Sequence, residues 1–278
     1  MPRQDFEINK DTILCMSLSH RPSNFGTRFH NFLYRELGLN FLYKAFASQD
    51  LEGAVRGIRA LKIRGCAVSM PFKEDVIQYL DEIDPSAKRI GAVNTIVNEE
   101  GHLHAYNTDY IAVSDLLKKF DSSGNSKNQV LLLGSGGMAK AIACALFEHG
   151  YRDVLIVARN PKTGSELAKA YGFQYAETQP KDKTFKTIIN VTPIGMTPNP
   201  ENHSPFSDAI IENAELIFDA VAYPPETVLI EKARKLGKKT ISGFEIQVIQ
   251  AREQFELYTG KNPTDAEVQK AAAFARAL

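Results

Sequence analysis

The sequence predicts an α/β chain folded as two domains, and three observations carry that prediction. At 278 residues the chain is long enough for two hydrophobic cores of ordinary size. Short apolar runs alternate with segments of helical periodicity, the pattern of parallel strands joined by helical crossovers. A glycine cluster, Gly134-Ser135-Gly136-Gly137, stands between one apolar run and an alanine-rich helix and marks a second α/β unit.

Thr12–Leu18 reads as the first strand, and His20–Thr27 as a loop of turn formers. Phe29, Phe32, Leu33 and Leu37 follow at helical spacing, with Gly38 as the stop. Leu42–Phe46 is a second strand, and Leu51–Ile63 a second helix with Leu51, Val55, Ile58 and Leu61 on one face. Gly65–Val68 is the third strand and delivers Ser69 and Lys73 to its end. A helix-like run, Gly91-Ala92-Val93-Asn94-Thr95, a short hairpin and Asn107-Thr108-Asp109 complete a first domain of residues 1–112.

Strand ends are where ligands collect in open α/β sheets. Lys73, Asn94 and Asp109 there supply a cation, an amide and a carboxylate, a set that can hold a hydroxylated ligand and pass a proton. Taken singly, Lys73 also reads as a solvated helix residue and Asp109 as a helix N-cap. Ser23, Asn24 and Thr27 either donate to a carboxylate near a helix start or simply close their turn.

The second domain spans residues 113–239. Gln129–Leu133 enters the glycine cluster, then Met138-Ala139 and a helix to His149, the strand, turn and helix order of a dinucleotide site. Asp153–Val157 is the next strand. At its end a NAD site carries an acidic residue for the ribose 2′-hydroxyl, whereas an arginine suits a 2′-phosphate. Here stand Arg159, Asn160 and Lys162, so NADP is expected. Thr187–Thr192 and Leu216–Val221 are further strands, and the turn after Thr192 is expected on the nicotinamide side. Residues 240–278 form closing helices, with Gln250 on the first and Pro263-Thr264 starting the last.

Composition narrows the partners. Lys plus Arg and Asp plus Glu both number 33, so the net charge points to neither nucleic acid nor an anionic membrane. No apolar run approaches the ~20 residues of a membrane helix, and the N-terminus lacks a signal-peptide core; the expected compartment is the cytosol. Cys15, Cys66 and Cys144 are odd in number and set among apolar neighbours, which fits buried thiols and calls for no metal.

Across nearly its whole length the chain resembles shikimate dehydrogenase, which reduces 3-dehydroshikimate to shikimate with NADPH. The resemblance rests on Pro71-Phe72-Lys73, Gly91 to Thr95, Asn107-Thr108-Asp109, the glycine cluster, Asn190-Val191-Thr192 with Gly195-Met196, Tyr223, and Gly243 with Gln250. It implies Lys73 and Asp109 as the catalytic pair. It implies Ser69, Asn94, Tyr223 and Gln250 around the substrate, Ser69 standing where the family usually has threonine. Thr192, Val221 and Gly243 would join Gly134 to Met138 and the Arg159 region around NADP. The implied fold packs the closing helices on an N-terminal substrate domain, with an active-site cleft between it and the Rossmann domain. A monomer or homodimer on the route to chorismate and the aromatic amino acids is the matching expectation.

Departures from the family pattern fall on ligand contacts. Counting back from His30-Asn31, the carboxylate-binding Ser-x-Ser is replaced by Asn24-Phe25-Gly26, while Ser17-Leu18-Ser19 has that spelling too far upstream. Ser23 or Thr27 would then substitute. The cofactor signature reads Ala158-Arg159-Asn160, its usual second arginine is Thr163, and Ile246-Gln247 replaces Met-Leu. These changes point to a divergent branch, with weak activity on shikimate or with a related ring acid such as quinate as its substrate. A non-catalytic sensor of nucleotide and ring acid is the rival from another class, and it gives Lys73 and Asp109 no task.

Overall fold

The computed structural model describes residues 7–121, 129–180, 183–197 and 203–277. The chain divides into two compact units, one of residues 1–108 with 248–278 and one of residues 109–247. Each is built on its own six-stranded sheet, and the α/β class is as the sequence predicts.

The first unit alternates β1 (Ile13–Ser19), α1 (Phe25–Glu36), β2 (Phe41–Ala47), α2 (Leu51–Ala60) and β3 (Gly65–Val68). β1 lies between β2 and β3, parallel to both. A 3-10 turn (Asp75–Tyr79), β4 (Glu82–Ile83), α3 (Pro85–Ile90) and the hairpin β5 (Thr95–Glu99) and β6 (His102–Tyr106) follow. β5 runs antiparallel to β3, giving the order β2-β1-β3-β5-β6-β4. Met16, Leu18, Val55, Ile58, Cys66, Val68 and Ile96 form the core on one face.

Two local expectations fail here. Leu61 lies one residue past the end of α2, where Lys62 adopts φ +51°, and it is 72% exposed instead of continuing the apolar stripe. The helix-like run after Lys73 breaks into a 3-10 turn, an extended Leu80 and a separate helix opened by Pro85 and capped by Asp84. Arg59 and the Leu103 amide, at 2.6 and 2.7 Å, fix Asp81 between the pieces and hold its carboxyl below the usual range.

α4 (Thr108–Asp121) leads into the second unit. There follow β7 (Val130–Leu133), α5 (Gly137–Glu148), β8 (Val154–Val157), α6 (Pro161–Tyr171), β9 (Gln174–Ala176), β10 (Thr187–Asn190), α7 (Asp208–Asn213), β11 (Leu216–Asp219), α8 (Val228–Lys235) and β12 (Lys239–Ser242). All pairings are parallel, in the order β12-β11-β10-β7-β8-β9. β7, β8, β10 and β11 are buried at every residue, which is why β7 and β8 read as unbroken apolar runs and β10 and β11 as apolar stretches closed by Asn190 and Asp219. Thr240–Ser242, read from sequence as the start of the closing segment, is strand paired to β11.

α9 (Gly243–Thr259) and α10 (Asp265–Arg276) close the chain. Ser242 and Glu245 form a reciprocal cap at the start of α9, and Thr264 with Glu267 a capping box on α10. α10 packs along α1, where Arg28 stacks on Phe274 and donates to the carbonyls of Phe274 and Ala277. All three cysteines are free and buried.

Candidate active site

In the first unit the site grows from the C-terminal ends of β1 and β3 and the N-terminal end of β5. The Ser69 amide donates to Leu18 O, and Val68 N to Asn94 O, so the ends of β1 and β3 and the start of β5 are tied together. Lys73 follows the cis Met70-Pro71 bond, half-buried, and its carbonyl accepts from Val93 N at 2.8 Å. Lys73 and Asn94 are therefore neighbours through their backbones. Ser69 is exposed.

Asn94 is 3% exposed and its carbonyl oxygen is fully committed. It accepts from Thr95 Oγ1 at 2.8 Å and Thr108 N at 2.8 Å, and Thr108 Oγ1 lies 3.2 Å away. The same Thr108 hydroxyl lies 3.4 Å from Gln250 Oε1. No acceptor for Asn94 Nδ2 is found among the described residues, so the amide is left as a donor of fixed direction. Asp109 follows Thr108 in the first turn of α4 and is 7% exposed.

Sequence reasoning missed Gln254. It lies one helical turn beyond Gln250, is 4% exposed, and donates to Asn94 O at 3.3 Å and Thr95 Oγ1 at 3.0 Å. Its i+4 spacing from Gln250 was the available signal. His30 is wholly buried, stacked at 4.4 Å on Tyr43. Burial pushes its pKa down to about 3, and the Gln254 side chain nearby offsets only part of that. It is a neutral structural imidazole.

The loop before α1 supplies little. Ser23 and Asn24 are exposed, and Asn24 occupies the N-cap position of α1 without a side-chain cap bond. A side chain at Gly26 would meet Tyr43 Oη at 3.3 Å. The Thr27 hydroxyl is buried with no partner among the described residues. Buried hydroxyls are rarely left unpaired, whereas Ser23 lies in the open. Asn31 has a structural task, since its amide bridges Thr27 O and the Tyr43 backbone.

The second unit carries the glycine turn. Gly134 has φ +121°, and a Cβ there would stand 2.7 Å from Val191 Cγ2, so only glycine fits. A Cβ on Gly136 would meet nothing within 4 Å, which leaves open space above the start of α5. Gly136 is the N-cap of that 12-residue helix and contributes no side chain; the Lys140 amide already donates to Gly136 O at 3.1 Å, so the first-turn amides ahead of it, those of Gly137 to Ala139, are the ones open to an anion. Ser135 Oγ and Thr163 Oγ1 bond at 2.7 Å, joining the turn to α6. Arg159 and Lys162 are exposed beside it. Asn160 accepts from the Lys162 and Thr163 amides as the cap of α6, so its oxygen is engaged. These groups fit a dinucleotide with a 2′-phosphate.

Thr192 donates to Asn190 Oδ1 at 2.7 Å, and Val221 N to Asp219 Oδ1 at 3.2 Å. A Cβ on Gly243 would lie 2.4 Å from the Val221 carbonyl, so β12 reaches α9 directly against that turn. Tyr223 is 62% exposed, and its carbonyl accepts from Thr197 N. Among the described residues no helix is long and apolar enough to cross a membrane.

Comparisons with known proteins bear on the same residues. The shikimate dehydrogenase substrate-binding domain matches residues 23–96, and the shikimate / quinate 5-dehydrogenase domain matches residues 115–192. A shikimate dehydrogenase-like protein of Haemophilus influenzae is 55% identical over 270 residues, 97% of this chain and 98% of that protein. The solved structure of a shikimate 5-dehydrogenase-like protein has a TM-score of 0.91 at 54% identity, covering 97% of this chain and 100% of that one. Shikimate 5-dehydrogenase from Thermus thermophilus, solved in complex with NADP(H) and shikimate, has a TM-score of 0.81 at 29% identity, covering 95% and 99%. A two-unit α/β chain with these two sets of strand-end groups, matched over almost all its length, belongs to the shikimate dehydrogenase family.

Proposed function

We propose that this protein catalyses the reversible NADP-linked oxidation of a ring hydroxy acid, shikimate to 3-dehydroshikimate or a close relative such as quinate. The observation that carries the reading is Asn94: its oxygen is used up by Thr95 and Thr108, and what it has to offer a ligand is an N–H beside Lys73.

When bound, NADP supplies the hydride acceptor or donor. The chain's own residues do the rest. Lys73 donates a proton to the carbonyl oxygen of the substrate as negative charge develops there and withdraws it in the other direction. Asp109 orients the reacting hydroxyl and the lysine. Asn94 Nδ2 and Gln250 hold neighbouring ring hydroxyls, with Ser69 and Tyr223 at the rim, and Thr27 takes the place of the missing serines towards the carboxylate. Gly134 to Met138 accept the pyrophosphate, Arg159 and Lys162 the 2′-phosphate, and Thr192, Val221 and Gly243 the nicotinamide end.

The test is initial-rate oxidation of shikimate and of quinate, each with NADP and NAD, on wild type and Lys73→Ala. A kcat/KM with NADP and shikimate of about 10⁴ M⁻¹s⁻¹ or above makes this a biosynthetic shikimate dehydrogenase. Slow turnover abolished by Lys73→Ala assigns the machinery and points to another ring acid. No turnover of either acid with either cofactor, while ligands still bind, rejects the enzyme reading in favour of a sensor.

A further inference from the structure

Asp219 takes no part in the chemistry above, yet it is wholly buried at the last position of β11. A carboxylate placed inside a sheet is costly unless donors surround it. Three do. Asn190 Nδ2 at 3.0 Å and Val221 N at 3.2 Å donate to Oδ1, and Thr227 Oγ1 at 2.5 Å donates to Oδ2. Burial pushes the carboxyl pKa up, and these three bonds pull it back.

The donors come from three places. Asn190 ends β10, and its side chain also organises the next turn: Nδ2 donates to Ile194 O at 3.2 Å, while Oδ1 accepts from the Thr192 amide at 3.0 Å and hydroxyl at 2.7 Å. Val221 opens the turn after β11. Thr227 closes that turn as the N-cap of α8, its hydroxyl accepting from Ile230 N. The two turns are also joined directly by Thr197 N to Tyr223 O at 3.1 Å. One side chain thus fixes two turns at adjacent strand ends, and the backbone of Gly243 closes on Val221 from the other side. A hydrophobic residue would pack β11 as well; what a carboxylate adds is a single geometry for Val221 and Thr192.

We propose that Asp219 is the positioning residue for the nicotinamide half of the cofactor, acting through Val221 and, by way of Asn190, through Thr192. The inference rests on the cofactor reading given above for this unit. It separates the unit into two halves that can be measured independently, because the glycine turn and Arg159 belong to other strand ends.

The experiment titrates NADPH and adenosine 2′,5′-bisphosphate into wild type, Asp219→Asn, Asp219→Leu, Thr227→Val and Thr227→Ser. The bisphosphate carries the adenosine and 2′-phosphate but no nicotinamide. Expected is a loss of about tenfold or more in NADPH affinity for Asp219→Leu, from donors left unpaired. A smaller loss is expected for Asp219→Asn and Thr227→Val, near-complete rescue in Thr227→Ser, and bisphosphate affinity within about twofold throughout. Equal losses for both ligands, or none for either, overturn the proposal and leave Asp219 a general support of the sheet. Should Asp219→Leu not fold, the Thr227 pair decides alone: a valine variant that binds NADPH as wild type does overturns it. If wild type binds neither ligand, the cofactor reading fails first and takes this inference with it.

Discussion

Replacing Asn94 by aspartate and by alanine separates its two tasks. The side-chain oxygen is structural, accepting from Thr108 N and from the Thr95 hydroxyl at 2.8 Å each, whereas the amide nitrogen is the group proposed to meet the substrate. Asn94→Ala removes both. The Thr95 and Thr108 hydroxyls lie 3.3 Å apart and can pair with each other, but the buried Thr108 amide loses its acceptor, at about 1–3 kcal/mol. At roughly 3 °C per kcal/mol for a unit of this size, the melting temperature should fall by about 3–9 °C. Asn94→Asp keeps an acceptor in the same place, and its donors suit an anion, so it should lose less. Both variants lose the N–H proposed to meet the substrate, and the aspartate sets a negative charge in its place. A drop in kcat/KM of about 10- to 100-fold, equivalent to ~1.4–2.8 kcal/mol, is expected in each. Thermal denaturation and initial rates on the same preparations give both numbers. An aspartate variant that melts as low as the alanine one yet turns over normally would refute the assignment of oxygen to the fold and nitrogen to the ligand.

Other substitutions test neighbouring parts of the reasoning. Lys73→Ala should lower kcat by about 10²- to 10⁴-fold with NADPH affinity unchanged by fluorescence titration; parallel losses in both would make the lysine a structural residue. Gly134→Ala combines φ +121° with a contact of 2.7 Å to Val191, and isothermal titration should show NADPH affinity reduced at least about tenfold. Arg159→Ala should raise the KM for NADP and leave that for NAD little changed, and equal effects on the two would remove the 2′-phosphate assignment. His30 gives a pH signature. Its pKa is about 3 in the fold against about 6.5 unfolded, so between these values the unfolded chain binds the extra proton. Stability contributed by the neutral ring is complete above pH 6.5 and falls as pH drops towards 3, by about 1.4 kcal/mol per pH unit. Denaturant titrations at pH 7 and pH 5 should show a loss from this source of about 2 kcal/mol in wild type, and a smaller total loss in His30→Phe.

The parts of the fold legible in the sequence are those where one segment carries its own signal. β7 and β8 are continuous apolar runs, and β10 and β11 apolar stretches closed by Asn190 and Asp219, because both faces of their sheet are covered. The turn at Gly134 declares itself because no other residue tolerates both its backbone angle and the approach of Val191. β4 and β9 were not legible. Two residues paired to β6, and three paired to β8, are strands only because a distant partner is present. Leu61 fails for the converse reason: periodicity predicts a stripe but not the turn at Lys62 that ends it.

The same distinction governs the candidate site. Lys73, Asn94 and Gln250 stand out as polar residues beside apolar runs, but the reason Asn94 presents nitrogen and not oxygen lies in Thr108 and Thr95. Gln254, which steadies Thr95 from 159 residues away, has no meaning until α9 is laid against β5. Asn190 and Asp219 each read as a polar residue closing an apolar strand. Only the register that sets Ile189 beside Phe218, and so Asn190 beside Asp219, turns two strand ends into one hydrogen-bonded support. A sequence names the groups that touch a ligand more readily than those that hold them in place, because a ligand contact is marked by its residue type and its place at a strand end, whereas a support is marked only by its partner.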